Sequence, residues 1–229
     1  MPPMARRPAT GPPRLTRRPQ LTREAVVAAA IAIADAEGLE AASMRRVAQR
    51  LGVDPMSLYN HVGDKDDLLD GMADSVVGTI DAPSAAGEWP SVLRATIMAA
   101  RATMLRHPWA ATVLARRRDP GPATLGYMER IMAILRDGGV SLELTHHALH
   151  VLGSRVLGFS QDLFEDKSAE RPDLAAAAAM AARFAETHPH VAEMAMAVSH
   201  DGGLGGCDDD LEFAFALDLI LDGLQRRAA

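Results

Sequence analysis

Between Ser43 and Lys65 the chain concentrates side chains that can bond nucleic acid. Serine, asparagine and arginine can hydrogen-bond base edges, and methionine offers apolar surface to a thymine methyl group. Tyrosine, histidine, lysine and a further serine hydroxyl suit phosphate oxygens, which set register without specifying sequence. A lone histidine such as His61 is more often packed or solvated than a ligand, and Tyr59 could be partly buried. The candidate contact residues are Ser43, Arg45, Pro55, Met56, Ser57, Tyr59, Asn60, His61 and Lys65.

Two short helices at a steep angle would place these side chains on one surface. Ser43 can cap the first helix, whose apolar residues recur at helical spacing until Gly52 ends it. Pro55 suits the first turn of the second helix, which we expect to close near Gly63. Because Ala48 allows close approach and Gly52 allows the chain to reverse, the segment predicts a helix-turn-helix whose second helix enters the major groove.

The rest of the chain has the pattern of further helices and shows no strand pattern. Thr22 can cap a first helix that stops at Gly38, and Asp64 can cap a fourth that runs toward Ile80. Few aromatic residues and abundant alanine and methionine favour closely packed helices over a sheet. We predict an all-α fold. The later helices are expected at about 91–106, 109–118, 122–137, 142–164, 174–187 and 208–226.

Charge is unevenly distributed along the chain. Residues 1–65 hold ten basic and six acidic side chains, although the whole chain has a net charge of −6. A basic N-terminal unit on an acidic body suits an anionic partner at one end, and chance scatter of solvated charge is the alternative. Residues 1–20 combine six prolines and five arginines with no acidic residue. We expect a disordered basic arm there. The arm could contact phosphates or a minor groove, or it could be an unstructured terminus without a function.

Cysteine and histidine usage limits the chemistry available. Cys207 is the single cysteine, which excludes an intrachain disulfide and a multi-cysteine zinc site and favours a reducing, cytoplasmic location. No apolar run approaches the roughly 18 residues of a membrane-spanning helix, so we expect no membrane association. His146 and His150 have metal-ligand spacing, yet no acidic or cysteine partner completes a site nearby. We therefore predict no metal and no cofactor.

Residues 51–70, LGVDPMSLYNHVGDKDDLLD, are similar to the DNA-binding signature of the tetracycline-repressor (TetR) family. The specific part is LYNHV at 58–62 followed by Lys65, and residues 211–224 resemble the last helix of the tetracycline-repressor-like branch. The resemblance implies a three-helix DNA-binding domain, residues 21–66, and a larger helical ligand-binding and dimerisation domain, residues 67–229. The candidate contact residues match family positions, although Pro55 and Asn60 differ from those of the namesake repressor, so its operator sequence does not carry over.

The same resemblance implies a dimeric repressor that binds pseudo-palindromic operator DNA and is released by a small-molecule effector. Helices at about 142–164 and 208–226 would form a four-helix bundle across a two-fold axis. The residues predicted for this interface are Leu149, Gly153, Val156, Phe213, Leu217, Ile220 and Leu224, with packing inside one subunit as the alternative. Polarisable or aromatic candidates for an effector pocket are Met104, His107, Trp109, Met128, Phe159 and Phe164, each of which could instead be a core residue.

Other classes of protein fit less well. We predict no enzymatic activity, because the sequence has no glycine-rich phosphate loop and no nucleophile elbow. A sequence-independent nucleoid protein is an alternative, and it would bind any duplex with similar affinity. An activator, or a regulator without a small-molecule effector, also stays open.

Overall fold

The computed structural model describes residues 21–81, 87–117, 119–157, 179, 182–183, 185–197 and 209–228. These ranges contain helices and no strands, which confirms the predicted all-α class. The predicted arm at 1–20, Cys207, Phe159 and Phe164 lie outside them. The ten α-helices of the described ranges are α1 Arg23–Glu37, α2 Met44–Leu51, α3 Pro55–Leu58, α4 Lys65–Gly78, α5 Trp89–Arg106, α6 Pro108–Arg116, α7 Pro122–Asp137, α8 Leu142–Leu157, α9 Pro189–Ala197 and α10 Asp209–Ala228.

The helix starts predicted from capping residues are confirmed. The side-chain oxygens of Thr22, Ser43 and Asp64 each accept a hydrogen bond from the backbone N–H three residues later, at 3.2, 3.3 and 2.8 Å. Each bond satisfies one of the N–H groups that a helix start leaves without a partner. Gly52 ends α2 in the left-handed conformation at φ 67°, which a side chain would strain.

Some helix limits differ from the prediction. The third helix stops at Leu58 and continues as a turn, because the backbone N–H groups of His61 and Val62 both bond Leu58 O. Pro189, taken from the sequence as part of a break, begins α9 instead, since a proline at the first helical position loses no internal hydrogen bond. The helix predicted at 142–164 can be followed only to Leu157.

The first of two buried apolar clusters unites α1 to α4 with parts of α5 and α6. Val26, Val47, Leu58 and Met72 are fully buried in it. Trp109 of α6 belongs to the same cluster, so the N-terminal helices do not form a separate core. The boundary predicted between residues 66 and 67 falls at the second residue of α4, within a helix that both parts share.

A second cluster holds the body together. It contains Leu93 and Ile97 of α5, Leu135 of α7, Leu152 of α8 and Leu217 of α10, each at most 1% exposed. Tyr127 packs against both clusters and joins them. None of the helices in the described part of the chain has the length and apolar character to cross a membrane.

Candidate nucleic-acid interface

Helix α3 is only four residues long and is fixed at both ends. Asp54 Oδ1 accepts a hydrogen bond from Met56 N at 2.8 Å, and Pro55 occupies the first helical position. Leu58 and Val62 are 0% and 1% exposed within the first cluster. A helix this short is unstable alone, so these tertiary contacts set its direction.

The outer face of α3 and of the turn after it carries most of the predicted contact residues. Met56 is 71% exposed and Tyr59 is 47% exposed. Such apolar and amphipathic surface beside amide and hydroxyl groups matches what base edges and thymine methyl groups offer in a major groove. Pro55 and Asn60 are also exposed, whereas Ser57 and His61 are partly buried.

Cationic side chains flank this face. Arg45 is exposed near the start of α2, and its neighbour Arg46 is already bonded to Glu37 Oε1 at 2.9 Å. Lys65 Nζ lies 4.0 Å from Oε2 of Glu40, whose side chain is 96% exposed. Exposed pairs of this length contribute little. The Lys65 ammonium is therefore available to a phosphate.

The Ser43 hydroxyl also caps a helix. Its oxygen caps α2 by accepting from Arg46 N, yet the hydroxyl proton can still be donated. The structure thus brings the nine predicted residues into three adjacent places, which are the starts of α2 and α4 and the outer face of α3 with its turn. Their contacts to DNA stay a prediction.

An ion pair that sequence reasoning missed ties α1 to the start of α4. The guanidinium of Arg23 bonds both carboxylate oxygens of Asp67 and also donates to His61 O at 3.0 Å. The bond from Arg23, aided by one from Gly63 N, lowers the pKa of Asp67 to about 2 although partial burial opposes this. Because the partners are 38 and 44 residues from Arg23, no local spacing pointed to them.

Two further polar links join the N-terminal helices to the body. Asp35 Oδ1 of α1 accepts hydrogen bonds from Trp109 Nε1 at 2.7 Å and from His107 Nδ1 at 2.8 Å. Trp109 is 7% exposed, so its indole N–H is sheltered from water, whereas the Asp35 side chain is 31% exposed. A displacement of α6 would therefore act directly on α1.

The second link connects α4 with the segment between α6 and α7. Arg117 Nε lies 3.0 Å from Asp70 Oδ1 with only 9% of the Arg117 side chain exposed. Asp74 caps α7 by accepting from the backbone N–H groups of Ala123 and Thr124. Burial by itself would raise the pKa of Asp74, but these bonds lower it overall. Helix α4 is thus held by two arginines, Arg23 of α1 through Asp67 and Arg117 of the body through Asp70.

The chain was compared with known proteins. A family model for the tetracyclin repressor-like C-terminal domain matches residues 82–228, and one for bacterial regulatory proteins of the tetR family matches residues 26–72. The chain belongs to the TetR family. The predicted family resemblance is confirmed, and the α2–α3 unit described above lies inside the second match.

Its relatives are transcriptional repressors. The chain is 34% identical over 228 residues to the repressor DrrR1 of Streptomyces coeruleorubidus, covering 96% of this chain and 81% of that one. It is 29% identical to the class C tetracycline repressor of Escherichia coli, covering 90% and 92%. The crystal structure of Streptomyces coelicolor ActR in complex with actinorhodin superposes with a TM-score of 0.74 at 30% identity, covering 92% and 99%. This TetR-family chain is a helix-turn-helix transcriptional repressor.

The predicted effector residues of this TetR-family protein lie in different surroundings. Met104 and Trp109 are buried in the first cluster, and the polar atoms of His107 and Trp109 bond Asp35. Met128 is 37% exposed on α7. His107 and Trp109 therefore lie where α6 meets α1. The roles of Met104, His107, Trp109 and Met128 toward an effector stay a prediction.

The residues predicted for the dimer interface need correction in part. Phe213 and Leu217 are 4% and 0% exposed within a single chain, so they pack in the subunit core, whereas Leu224, at 7% exposed, lies at the edge of that core and lines a groove between α8 and α10. The register of α10 turns these residues inward and turns their neighbours outward. Leu149, Gly153 and Ile220 keep partial exposure, and the Val156 side chain lies outside the described part.

The apolar surface available to a partner lies on a neighbouring face of the same two helices. Val151 of α8 and Phe215 and Leu219 of α10 are 47%, 62% and 55% exposed. Between the two helices runs a groove of about 270 Å³, lined in part by Leu144, Val151 and Leu219. Sequence periodicity could not choose between adjacent faces of α10, because apolar residues lie on both.

The histidine rings of α8 lie edge to face. The ring centroids of His146 and His150 are 4.6 Å apart, and those of His146 and His147 are 5.6 Å apart. Within the described residues, no group of three or more histidine, cysteine, aspartate or glutamate side chains is arranged to hold a metal ion.

Proposed function

We propose that this protein is a homodimeric repressor that places α3 of each subunit in the major groove of a pseudo-palindromic operator and dissociates when a small molecule binds the body. The observation that carries the proposal is the outer face of α3. This face and the turn after it expose Met56, Tyr59 and Asn60, while the buried Leu58 and Val62 hold the helix and the turn in place. The neighbouring Arg45 and Lys65 supply charge for the phosphates on either side.

Specific roles follow from side-chain chemistry. Asn60 can bond adenine in a bidentate manner, Met56 can contact a thymine methyl group, and Ser57 can donate or accept at a base or phosphate. Arg45 reaches a guanine or a phosphate. The residues that set register on phosphates are Ser43, Tyr59, His61 and Lys65. Pro55 starts α3 and brings its first turn close to the base edges.

Dimer formation uses the exposed faces of α8 and α10. A two-fold axis makes one surface patch contact its own copy, so Val151, Phe215 and Leu219 of both subunits would be buried together. The two copies of α3 would then reach half-sites about 34–36 Å apart, one helical turn of DNA, or a multiple of that distance.

Effector release rests on the links between α6 and the N-terminal helices. ActR, at 30% identity, is a protein whose structure holds actinorhodin. In this chain a small apolar or amphipathic molecule among the middle helices would shift the population toward an arrangement of α1 and α4 unsuited to the operator. The bonds from His107 and Trp109 to Asp35, and the pairing of Arg117 with Asp70, would transmit the shift.

The test is equilibrium binding to an inverted repeat chosen by selection from random duplexes. At one salt concentration we expect the full-length chain to bind the selected repeat about 10³-fold or more tightly than a scrambled duplex. Equal affinity for both duplexes would instead support a sequence-independent nucleoid protein. Addition of actinorhodin and of tetracyclines to the complex then screens for release, which distinguishes an effector-controlled repressor from one without an effector.

A further inference from the structure

One guanidinium group connects three segments around the recognition helix. Arg23 Nη1 donates to Asp67 Oδ2 at 2.8 Å and to His61 O at 3.0 Å, while Nη2 donates to Asp67 Oδ1. Asp67 Oδ2 accepts a further bond from Gly63 N at 2.8 Å. The start of α1, the turn after α3 and the first turn of α4 are therefore closed into one hydrogen-bonded unit.

The turn held in this way carries the residues that would meet DNA. Tyr59, Asn60 and His61 lie between the two buried anchors Leu58 and Val62, where the chain is no longer helical. Apolar burial fixes the ends of this turn. The bonds to His61 O and Gly63 N fix the direction of the peptide planes inside it.

The packing of α4 leaves room for the guanidinium. A Cβ atom on Gly71 would lie 3.3 Å from Arg23 Nη2 and 3.1 Å from a methyl carbon of Val27. Glycine inside a helix costs about 1 kcal/mol relative to alanine. Its presence here, where α1 and α4 approach closely, is accounted for by the space that Arg23 and Val27 occupy.

We propose that Arg23 and Asp67 are positioning residues for operator binding, which hold the turn at 59–63 so that Tyr59, Asn60 and His61 face the DNA. The inference rests on the proposed function. It assigns to Arg23 a role distinct from that of Lys65, because the positive charge of Arg23 is already matched by Asp67. Asp67 is an anion close to where the polyanionic DNA would bind, and its pairing with Arg23 offsets the repulsion between them.

The direction in which one substitution changes the affinity for DNA tests the proposal. Asp67→Ala removes a negative charge near the DNA, which by electrostatics alone tightens binding. If Asp67 positions the turn, Asp67→Ala instead weakens binding to the selected inverted repeat by about tenfold at constant salt. Asp66→Ala is the matched control, because Asp66 is the exposed carboxylate next to it in the same helical turn. It should bind as tightly as the original chain or more tightly.

Arg23 variants separate positioning from direct phosphate contact. Arg23→Ala should weaken binding about as much as Asp67→Ala, and the double variant should be no weaker than either, because both remove one unit. The slope of log affinity against log salt should stay unchanged, whereas a lost phosphate contact lowers it by about 0.9. Arg23→Lys keeps the positive charge but lacks the planar guanidinium that bonds Asp67 and His61 O together. Its affinity should therefore lie between those of Arg23→Ala and the original chain.

Folding is monitored by thermal unfolding of each variant. The side chains of Arg23 and Asp67 are 42% and 38% exposed, so their loss should leave the protein folded. The proposal is overturned if Asp67→Ala binds as tightly as Asp66→Ala, or if Arg23→Ala reduces the salt slope. Lys65→Ala and Tyr59→Ala, measured alongside, test the proposed function separately: if neither weakens binding, the proposed interface fails regardless of Arg23.

Discussion

At the residue scale, the surface around α3 divides into side chains that can read bases and side chains that can hold phosphates. Met56 and Asn60 extend from the helix and the turn with no part in the core. Lys65 stands at the start of α4, where a lysine reaches outward from a capped helix. These two groups should respond differently to salt and to DNA sequence.

Lys65→Ala should weaken binding to selected and scrambled duplexes to a similar extent. One lost phosphate contact lowers the salt slope by about 0.9. Fluorescence anisotropy titrations at several salt concentrations measure both quantities. Arg130→Ala, which removes an exposed cation on α7, serves as the control and should change neither. An unchanged slope for Lys65→Ala would remove Lys65 from the contact surface.

The Arg23 pair also predicts a pH dependence of stability. The pKa of Asp67 is lowered to about 2, chiefly by its bond to Arg23. A carboxyl with a lowered folded-state pKa stabilises the protein above its unfolded-state pKa, and this stabilisation is lost as pH falls from about 4 to about 2. The free energy of unfolding, measured with urea across that range, should fall less steeply with decreasing pH for Asp67→Ala than for the original chain. Parallel curves would mean that the pair contributes nothing to folding, as many exposed pairs do.

At the element scale, α1 and α4 each contact both the DNA-binding helices and the body. Their apolar faces complete the DNA-binding unit, while Asp35, Asp70 and Asp74 on them bond residues of the body. Rigid helices with contacts at both ends can pass a displacement from one region to another. This is the physical basis that the structure offers for effector control.

Trp109→Phe should destabilise the protein by about 1 kcal/mol, because the Asp35 carboxylate loses the hydrogen bond from the buried Trp109 indole while most of the ring volume is retained. Urea unfolding gives the free energy. Trp89→Phe is the control, since Trp89 packs against the second cluster and Gly138, whereas Trp109 belongs to the first cluster. Equal losses in the two variants would show that the bond to Asp35 adds nothing beyond ring packing.

Local sequence signals predicted the elements well and their tertiary partners poorly. Thr22, Ser43 and Asp64 marked helix starts correctly because a cap acts within three residues. The same reasoning could not find the pairing of Arg23 with Asp67, whose partners are 44 residues apart. Helix periodicity placed apolar residues on α10, yet Phe213 and Leu217 proved to face inward, because neighbouring faces of that helix are both apolar.

At the scale of the whole molecule, the proposed function requires two copies. A single α3 covers only a few base pairs, and the apolar faces of α8 and α10 provide the surface through which a second copy can be fixed. The tetracyclin repressor-like match over 82–228 spans both helices.

Phe215→Glu and Leu219→Glu should convert the dimer into monomers, because each places a charge on a surface that is buried in the dimer. Sedimentation velocity measures the change. Leu125→Glu is the matched control, since Leu125 is 52% exposed on α7 and should leave the dimer intact. Loss of dimer in the control as well, or in none of the three variants, would place the interface elsewhere.

The proposed repressor function depends above all on α3 reading the base sequence of the operator. The most direct measurement is selection from random duplexes, performed in parallel with the original chain and with a Met56→Ala, Asn60→Ala double variant. We predict that the original chain yields an inverted repeat and that the variant relaxes the preference only at the base pairs facing α3, symmetrically in both half-sites. The same motif recovered with equal stringency from both proteins would show that Met56 and Asn60 do not read the bases.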